Sequence, residues 1–192
     1  MSVCESTIIG TIKKGAIKSK CESGNEDNSG QDPDHAVLSI EKALFLLGTT
    51  PGSIYITGTV KYDSGTNSIS PKEGQVIQRF DGFDVSGKEY SAFKGTMIEV
   101  CGGTLTLGQY ASISGSSVVD SGSIIAVDEN ATLVLDGASL MLNIAKEYGG
   151  AIYNKGTVSV KSYSTISSCF AKEGASIYHD GQNLWVEKGR SY

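Results

Sequence analysis

From Val76 onward the chain is a succession of short apolar runs divided by Gly-containing turns, and the runs return at a nearly fixed interval. One column passes through Thr104-Leu105-Thr106-Leu107, Thr132-Leu133-Val134-Leu135, Thr157-Val158-Ser159-Val160 and Asn183-Leu184-Trp185-Val186, with successive copies 28, 25 and 26 residues apart. A second echo pairs Asn143-Ile144-Ala145-Lys146-Glu147-Tyr148-Gly149-Gly150-Ala151-Ile152-Tyr153-Asn154 with Cys169-Phe170-Ala171-Lys172-Glu173-Gly174-Ala175-Ser176-Ile177-Tyr178-His179. Ala-Lys-Glu recurs there after 26 residues and Ile-Tyr after 25. A third, less regular column runs through Ser112-Ile113-Ser114, Ala138-Ser139-Leu140 and Thr165-Ile166-Ser167.

Three short strands and three turns per repeat of about 25 to 28 residues suit a parallel β-helix, whose alternate side chains point inward and whose coils hydrogen-bond at roughly 4.8 Å. Leu105, Leu133, Val158 and Leu184 then form one internal aliphatic column, while Thr106, Val134, Ser159 and Trp185 face solvent. A β-sandwich also uses short alternating strands with Gly turns. Its strands, however, have no reason to repeat Ala-Lys-Glu and Ile-Tyr at almost one interval, whereas in stacked coils equal positions meet equal neighbours.

Upstream of the repeats, Val37, Leu38, Ile40, Ala43, Leu44 and Leu47 recur at three- and four-residue spacing, which predicts an amphipathic helix over about 34 to 48, begun by Asp32-Pro33 or Asp34 and stopped by Pro51-Gly52. Ser53 to Val60 follows with the β-branched alternation of a strand. The helix fits as a lid on the first coil. Residues 1–33 hold one strand pattern, Ser6 to Ile17, and the polar run CESGNEDNSGQDPD, and read as an arm and linker. The expected organisation is thus an arm over 1–33, a capping helix over 34–50 and, over 51–192, an all-β, right-handed parallel β-helix, whole or cut from a longer solenoid. Its last coil, with Gly189-Arg190-Ser191-Tyr192 directly after a strand, has no lid in the sequence and is blunted by Glu187, Lys188 and Arg190.

Composition narrows the function classes. At 192 residues the chain can bury a core, and 24 glycines against 3 prolines agree with many tight turns. A net charge of −5 gives no broad basic surface, so no nucleic-acid partner is expected. No run approaches the roughly twenty apolar residues of a transmembrane helix. The opening MSVCESTIIGTIKKG lacks the apolar core of a secretory signal, so any signal has been removed, was never there, or lies on a larger precursor. Lys13, Lys14, Lys18 and Lys20 make a small basic arm that reads as a solvated face. Four cysteines, at 4, 21, 101 and 169, show no CxxC pair and no metal-ligand spacing with His35 or His179. Cys4 and Cys21 either close a loop or remain separate thiols; Cys101 and Cys169 read as buried thiols.

The chemistry-bearing residues are few. No Ser or Cys forms a recognisable nucleophile motif with a histidine, and Cys101-Gly102-Gly103 lacks the helix and Lys-Ser/Thr of a phosphate loop. No catalytic set, metal site or cofactor is expected. Tyr153 and Tyr178 occupy equal places in successive coils and form an aromatic ladder, which either aids packing or offers a ligand platform. One corner aligns Cys101, Glu129, Asn154 and Asp180, with Asp128 and His179 beside them, as a place where oxygens meet a sugar or calcium or serve only as turn chemistry. The ligand-binding candidates are Tyr153, Asn154, Tyr178, His179, Asp180 and Trp185.

The segment Gly149-Gly150-Ala151-Ile152-Tyr153-Asn154, preceded by Asn143-Ile144-Ala145 and followed by Lys155-Gly156-Thr157-Val158, resembles the GGAI-type repeats of bacterial polymorphic outer membrane proteins and related autotransporter passengers. Gly174-Ala175-Ser176-Ile177 looks like a degenerate copy. Neither a membrane-anchored β-barrel nor the family's F-x-x-N motif is visible. The resemblance implies a secreted or cell-surface, adhesin-like, non-catalytic repeat protein that displays a face to a host, a cell or a glycan. Two alternatives stand beside it. One is a polysaccharide-active lyase or hydrolase on the same fold; the other is a structural solenoid that self-associates through its last coil.

Overall fold

The computed structural model describes residues 7–12, 15–18, 27–30, 35–83, 87–115 and 122–188, with the backbone alone for 7–12 and 15–18. Five coils stack as a parallel β-solenoid with three strands each. The first holds β3 (Gly52–Gly58), β4 (Val60–Tyr62) and β5 (Thr66–Ile69), and the second β6 (Gln75–Arg79), β7 (Ile98–Val100) and β8 (Gly103–Leu107). The third is β9 (Ser112–Ser114), β10 (Ile125–Val127) and β11 (Ala131–Leu135); the fourth is β12 (Ser139–Ile144), β13 (Ile152–Asn154) and β14 (Thr157–Val160). The fifth is β15 (Thr165–Phe170), β16 (Ile177–His179) and β17 (Asn183–Val186). The strands stack into three walls: sheet A through β3-β6-β9-β12-β15, sheet B through β4-β7-β10-β13-β16, and sheet C through β5-β8-β11-β14-β17.

Alternation places the core. In sheet C, Leu105 pairs with Leu133, Leu133 with Val158 and Val158 with Leu184, which is the aliphatic column read from the sequence. The first three are buried; Leu184 is half-buried because no described strand lies beyond β17. The opposite parity carries Thr106, Val134, Ser159 and Trp185, the last 63% exposed. In sheet A the inner column is Ile54, Ile77, Ile113, Leu140 and Ile166. Ser112 therefore pairs with Ser139 and not with Ala138, one residue away from the expected third column, since only that register puts Ile113 and Leu140 on one face.

The N-terminal cap differs from expectation in two respects. The helix α1 (Ile40–Leu47) starts later than position 34: Ser39 is its N-cap, extended at φ −131, and its hydroxyl accepts from the Lys42 amide at 3.1 Å. Asp32, Pro33 and Asp34 lie outside the described residues. Ile40, Ala43 and Leu47 bury one face on the first coil, Tyr62 donates its hydroxyl to the Glu41 carboxylate at 3.0 Å, and Gly48 closes the helix at φ 60. Second, the strand expected over Ser6 to Ile17 is a hairpin, β1 (Thr7–Ile12) with β2 (Gly15–Lys18), and β1 pairs antiparallel with β3. It occupies the edge of sheet A that β3 would otherwise leave unpaired. Residues 1–33 are thus more than an arm. Cys4, Cys21, Lys13, Lys14, Lys20 and 189–192 lie outside the described residues, as does the question of a Cys4–Cys21 bridge.

Residues 80–83 and 87–97 lie between β6 and β7, in a connection with no counterpart in the repeat pattern. Phe80 is buried there beside Tyr55, Tyr90 and Phe93, with edge-to-face ring distances of 6.5 Å to Tyr55 and 6.2 Å to Tyr90. No helix among the described residues is long and apolar enough to cross a membrane.

Candidate binding faces

The outer face of sheet B carries the aromatic ladder. β13 and β16 pair Ile152 with Ile177, Tyr153 with Tyr178 and Asn154 with His179. Since Ile152 points inward, both tyrosines point outward, and their rings stack at 5.5 Å and 25°. A third ring, Tyr148, enters from the turn before β13, 4.7 Å from Tyr178 and 6.0 Å from Tyr153. It is brought there by Gly149 at φ 58 and Gly150, where a Cβ would run into the Ile152 carbonyl and the Ala175 carbonyl respectively. Only glycines let the chain cross the neighbouring coil this closely. Lys155 holds its ammonium 5.5 Å from the Tyr153 ring. Beside the cluster lies a cavity of about 240 Å³ whose lining includes Thr96, Ser123, Lys146, Glu147, Tyr148 and Tyr153. The Tyr178 phenol is raised by partial desolvation and by Asp180 and Glu173, so it stays a hydrogen-bond donor at neutral pH.

The corner between sheets B and C keeps Cys101 and Asp180 in the column read from the sequence and differs at the two steps between them. Val100, Val127, Asn154 and His179 share one inward column. The outward corner column is therefore Cys101, Asp128, Lys155 and Asp180, and Glu129 belongs to the turn after it. The reason is parity: Asn154 sits two residues from the inward Ile152 and must share its side. Asn154 is buried, accepts from the Gly156 amide at 2.9 Å, and donates to His179 Nδ1 at 2.9 Å and to the Asn183 carbonyl at 3.3 Å. Its amide joins the turns of two coils and is not a surface ligand group. His179 points to the solenoid interior and is exposed because its coil is the last described.

A second cavity of about 300 Å³ opens at this corner, lined by Cys101, Asp128, Glu129, Asn130 and Lys155. Burial, then Asp128, Glu99 and Asp63, pushes the Cys101 thiol up to about 11, so it is protonated and a poor nucleophile at neutral pH. Among the described residues no group of three His, Cys, Asp or Glu side chains is placed to hold a metal ion.

Of the six sequence candidates, the fold joins Tyr153 with Tyr178 on one face, ties Asn154 to His179 inside the corner, leaves Asp180 exposed beside them, and puts Trp185 on another wall. Tyr148 was invisible to the repeat reading because the matching step of the next coil is Glu173. Also unforeseen is a polar network inside the solenoid. Arg79, fully buried on the inner side of β6, donates to the Gly95, Gly122 and Ser123 carbonyls and to Asn143 Oδ1. Asn143 in turn donates to the Gly122 carbonyl at 2.9 Å and the Gly150 carbonyl at 2.6 Å. Burial lowers the guanidinium to about 10, which still leaves it charged at neutral pH. No family model matches the chain, and comparison with curated proteins and with solved structures returns no match.

Proposed function

We propose that this β-solenoid is a display and adhesion module, working at a cell surface or in secreted form, that binds a saccharide on the outer face of sheet B and does not turn it over. The observation that carries the reading is the three-ring cluster of Tyr148, Tyr153 and Tyr178 beside a mostly apolar cavity rimmed by Lys146 and Glu147. Aromatic faces accept the apolar C–H face of a sugar ring, and Lys146 and Glu147 supply a donor and an acceptor for its hydroxyls. Placement outside the cell is supported by the likeness of residues 149–154 to the GGAI-type repeats of surface-displayed proteins.

The test is a glycan-array screen of the purified protein beside a reducing-end release assay on the same polysaccharides, with and without calcium. Saturable binding without product, lost in Tyr148→Ala and Tyr178→Ala, is expected. Product release would overturn the non-catalytic reading, and the corner lined by Asp128, Glu129 and Lys155 would become the place to mutate.

A second reading is favoured by the fifth coil. β15, β16 and β17 have unpaired outer edges among the described strands, and Val186 is 66% exposed beside half-buried Leu184. Such an edge pairs with another chain unless it is blunted. Sedimentation over a wide concentration range distinguishes the cases: a mass that doubles, and is returned to the monomer by Val186→Lys, supports self-association, and a constant mass removes it.

A further inference from the structure

Each of the four described turns from sheet C to sheet A holds one left-handed backbone position. It is Gly74 (φ 80) before β6, Tyr110 (φ 67) before β9, Gly137 (φ 83) before β12 and Tyr163 (φ 68) before β15. Each stands two residues ahead of a paired residue, Val76, Ser112, Ser139 and Thr165, so the four form a single column. Glycine takes this conformation freely, whereas a side chain with a Cβ is strained in it. The fold accepts glycine here at two steps and carries tyrosine at the other two.

Packing does not account for the tyrosines. Tyr110 is 48% and Tyr163 is 73% exposed, and neither ring stacks on another aromatic among the described residues. Strained, exposed aromatic residues recurring at one structural position point to a surface role. They stand two coils apart, about 9.6 Å along the solenoid axis from the strand spacing. Gly137 leaves the step between them without a side chain. Polar groups border the column: Lys161 and Asp136 form a 2.8 Å ion pair across adjacent coils, and the Ser162 amide donates to Glu187 at 3.1 Å.

We propose that this corner is a saccharide track, separate from the tyrosine face of sheet B, for a flat-ribbon glycan with β-(1→4) linkages laid along the solenoid axis. In such a ribbon successive rings alternate in facing, so the same face returns at every second sugar, with a repeat close to two coil steps. Tyr110 and Tyr163 each take one such ring, and the intervening sugar passes over Gly137. Asp136 and Lys161 are placed beside the path of that middle sugar to meet its hydroxyls.

The test is calorimetric titration with cello- and chito-oligosaccharides from the disaccharide to the hexasaccharide, with malto-oligosaccharides as a control of different shape. Affinity is expected to rise steeply once the ligand reaches three sugars, and to be absent for the malto series. Tyr110→Gly and Tyr163→Gly, which install the residue the same corner holds at 74 and 137, keep the thermal midpoint and each weaken binding by about tenfold. The proposal is overturned by no saturable binding of any β-linked series, by equal binding of the malto series, or by binding that both glycine variants retain. Binding lost only in Tyr148→Ala would put the glycan on sheet B, sinking this proposal and upholding the preceding one.

Discussion

Arg79, Asn143 and Asn154 are polar side chains in the interior of a solenoid, and each is held there by hydrogen bonds that join separate coils. Removing one leaves buried carbonyls without a donor, which costs more than the hydrogen bond itself contributes. Arg79→Met, which keeps the length and loses the donors, is expected to lower unfolding stability by about 3 kcal/mol, read as a denaturation midpoint shift at unchanged slope. Asn154→Ala should cost about 2 kcal/mol by the same argument. Cys101 provides a check on charge. Its thiolate forms in quantity only as pH approaches about 11. In a Cys4→Ser, Cys21→Ser background, iodoacetamide labelling of Cys101 should be far slower at pH 8 than that of an ordinary thiol and should climb with pH; fast labelling at pH 8 would contradict the desolvated, carboxylate-flanked environment.

Among the elements, α1 is short, and its start depends on one hydroxyl, Ser39 to the Lys42 amide. Ser39→Ala should cost about 1 kcal/mol, measurable as a lower thermal midpoint. Gly150 marks where β12 and β13 meet the fifth coil: a Cβ there collides with backbone of Ala175 and Phe170. Gly150→Ala is expected to loosen the last coil first, seen as faster amide exchange in β15 and β16 than in β11. The strand columns were legible in the sequence because stacked coils impose the same inward position on every copy, so Leu105, Leu133, Val158 and Leu184 announce their own register. At the corner, Cys101 and Asp180 align as the sequence suggests, whereas Asn154 looks by residue type like a turn asparagine and alternation from Ile152 puts it inside. Tyr148 and the tyrosines at 110 and 163 escaped for a related reason: their matches in other coils are Glu173, Gly74 and Gly137, and a repeat search follows likeness, not position.

Taken whole, the molecule is a three-walled rod closed at one end by α1 and the β1–β2 hairpin and presenting unpaired strand edges at the other among the described residues. Its fold class followed from the period. Its function did not, because the outward strand positions carry no constant residue type, running Thr106, Val134, Ser159 and Trp185 in sheet C, and one ring of the aromatic cluster, Tyr148, comes from a turn. If the outer face of sheet B binds the saccharide, its tyrosine rings must sense the ligand. The chain has 9 tyrosines, so selective ¹³C labelling of tyrosine rings reports this face directly. During titration with a saccharide selected on the array, saturable ring shifts are expected at Tyr148, Tyr153 and Tyr178 while Tyr55, Tyr62 and Tyr90 stay still. Shifts confined to other tyrosines, or no shifts at saturating ligand, would contradict it.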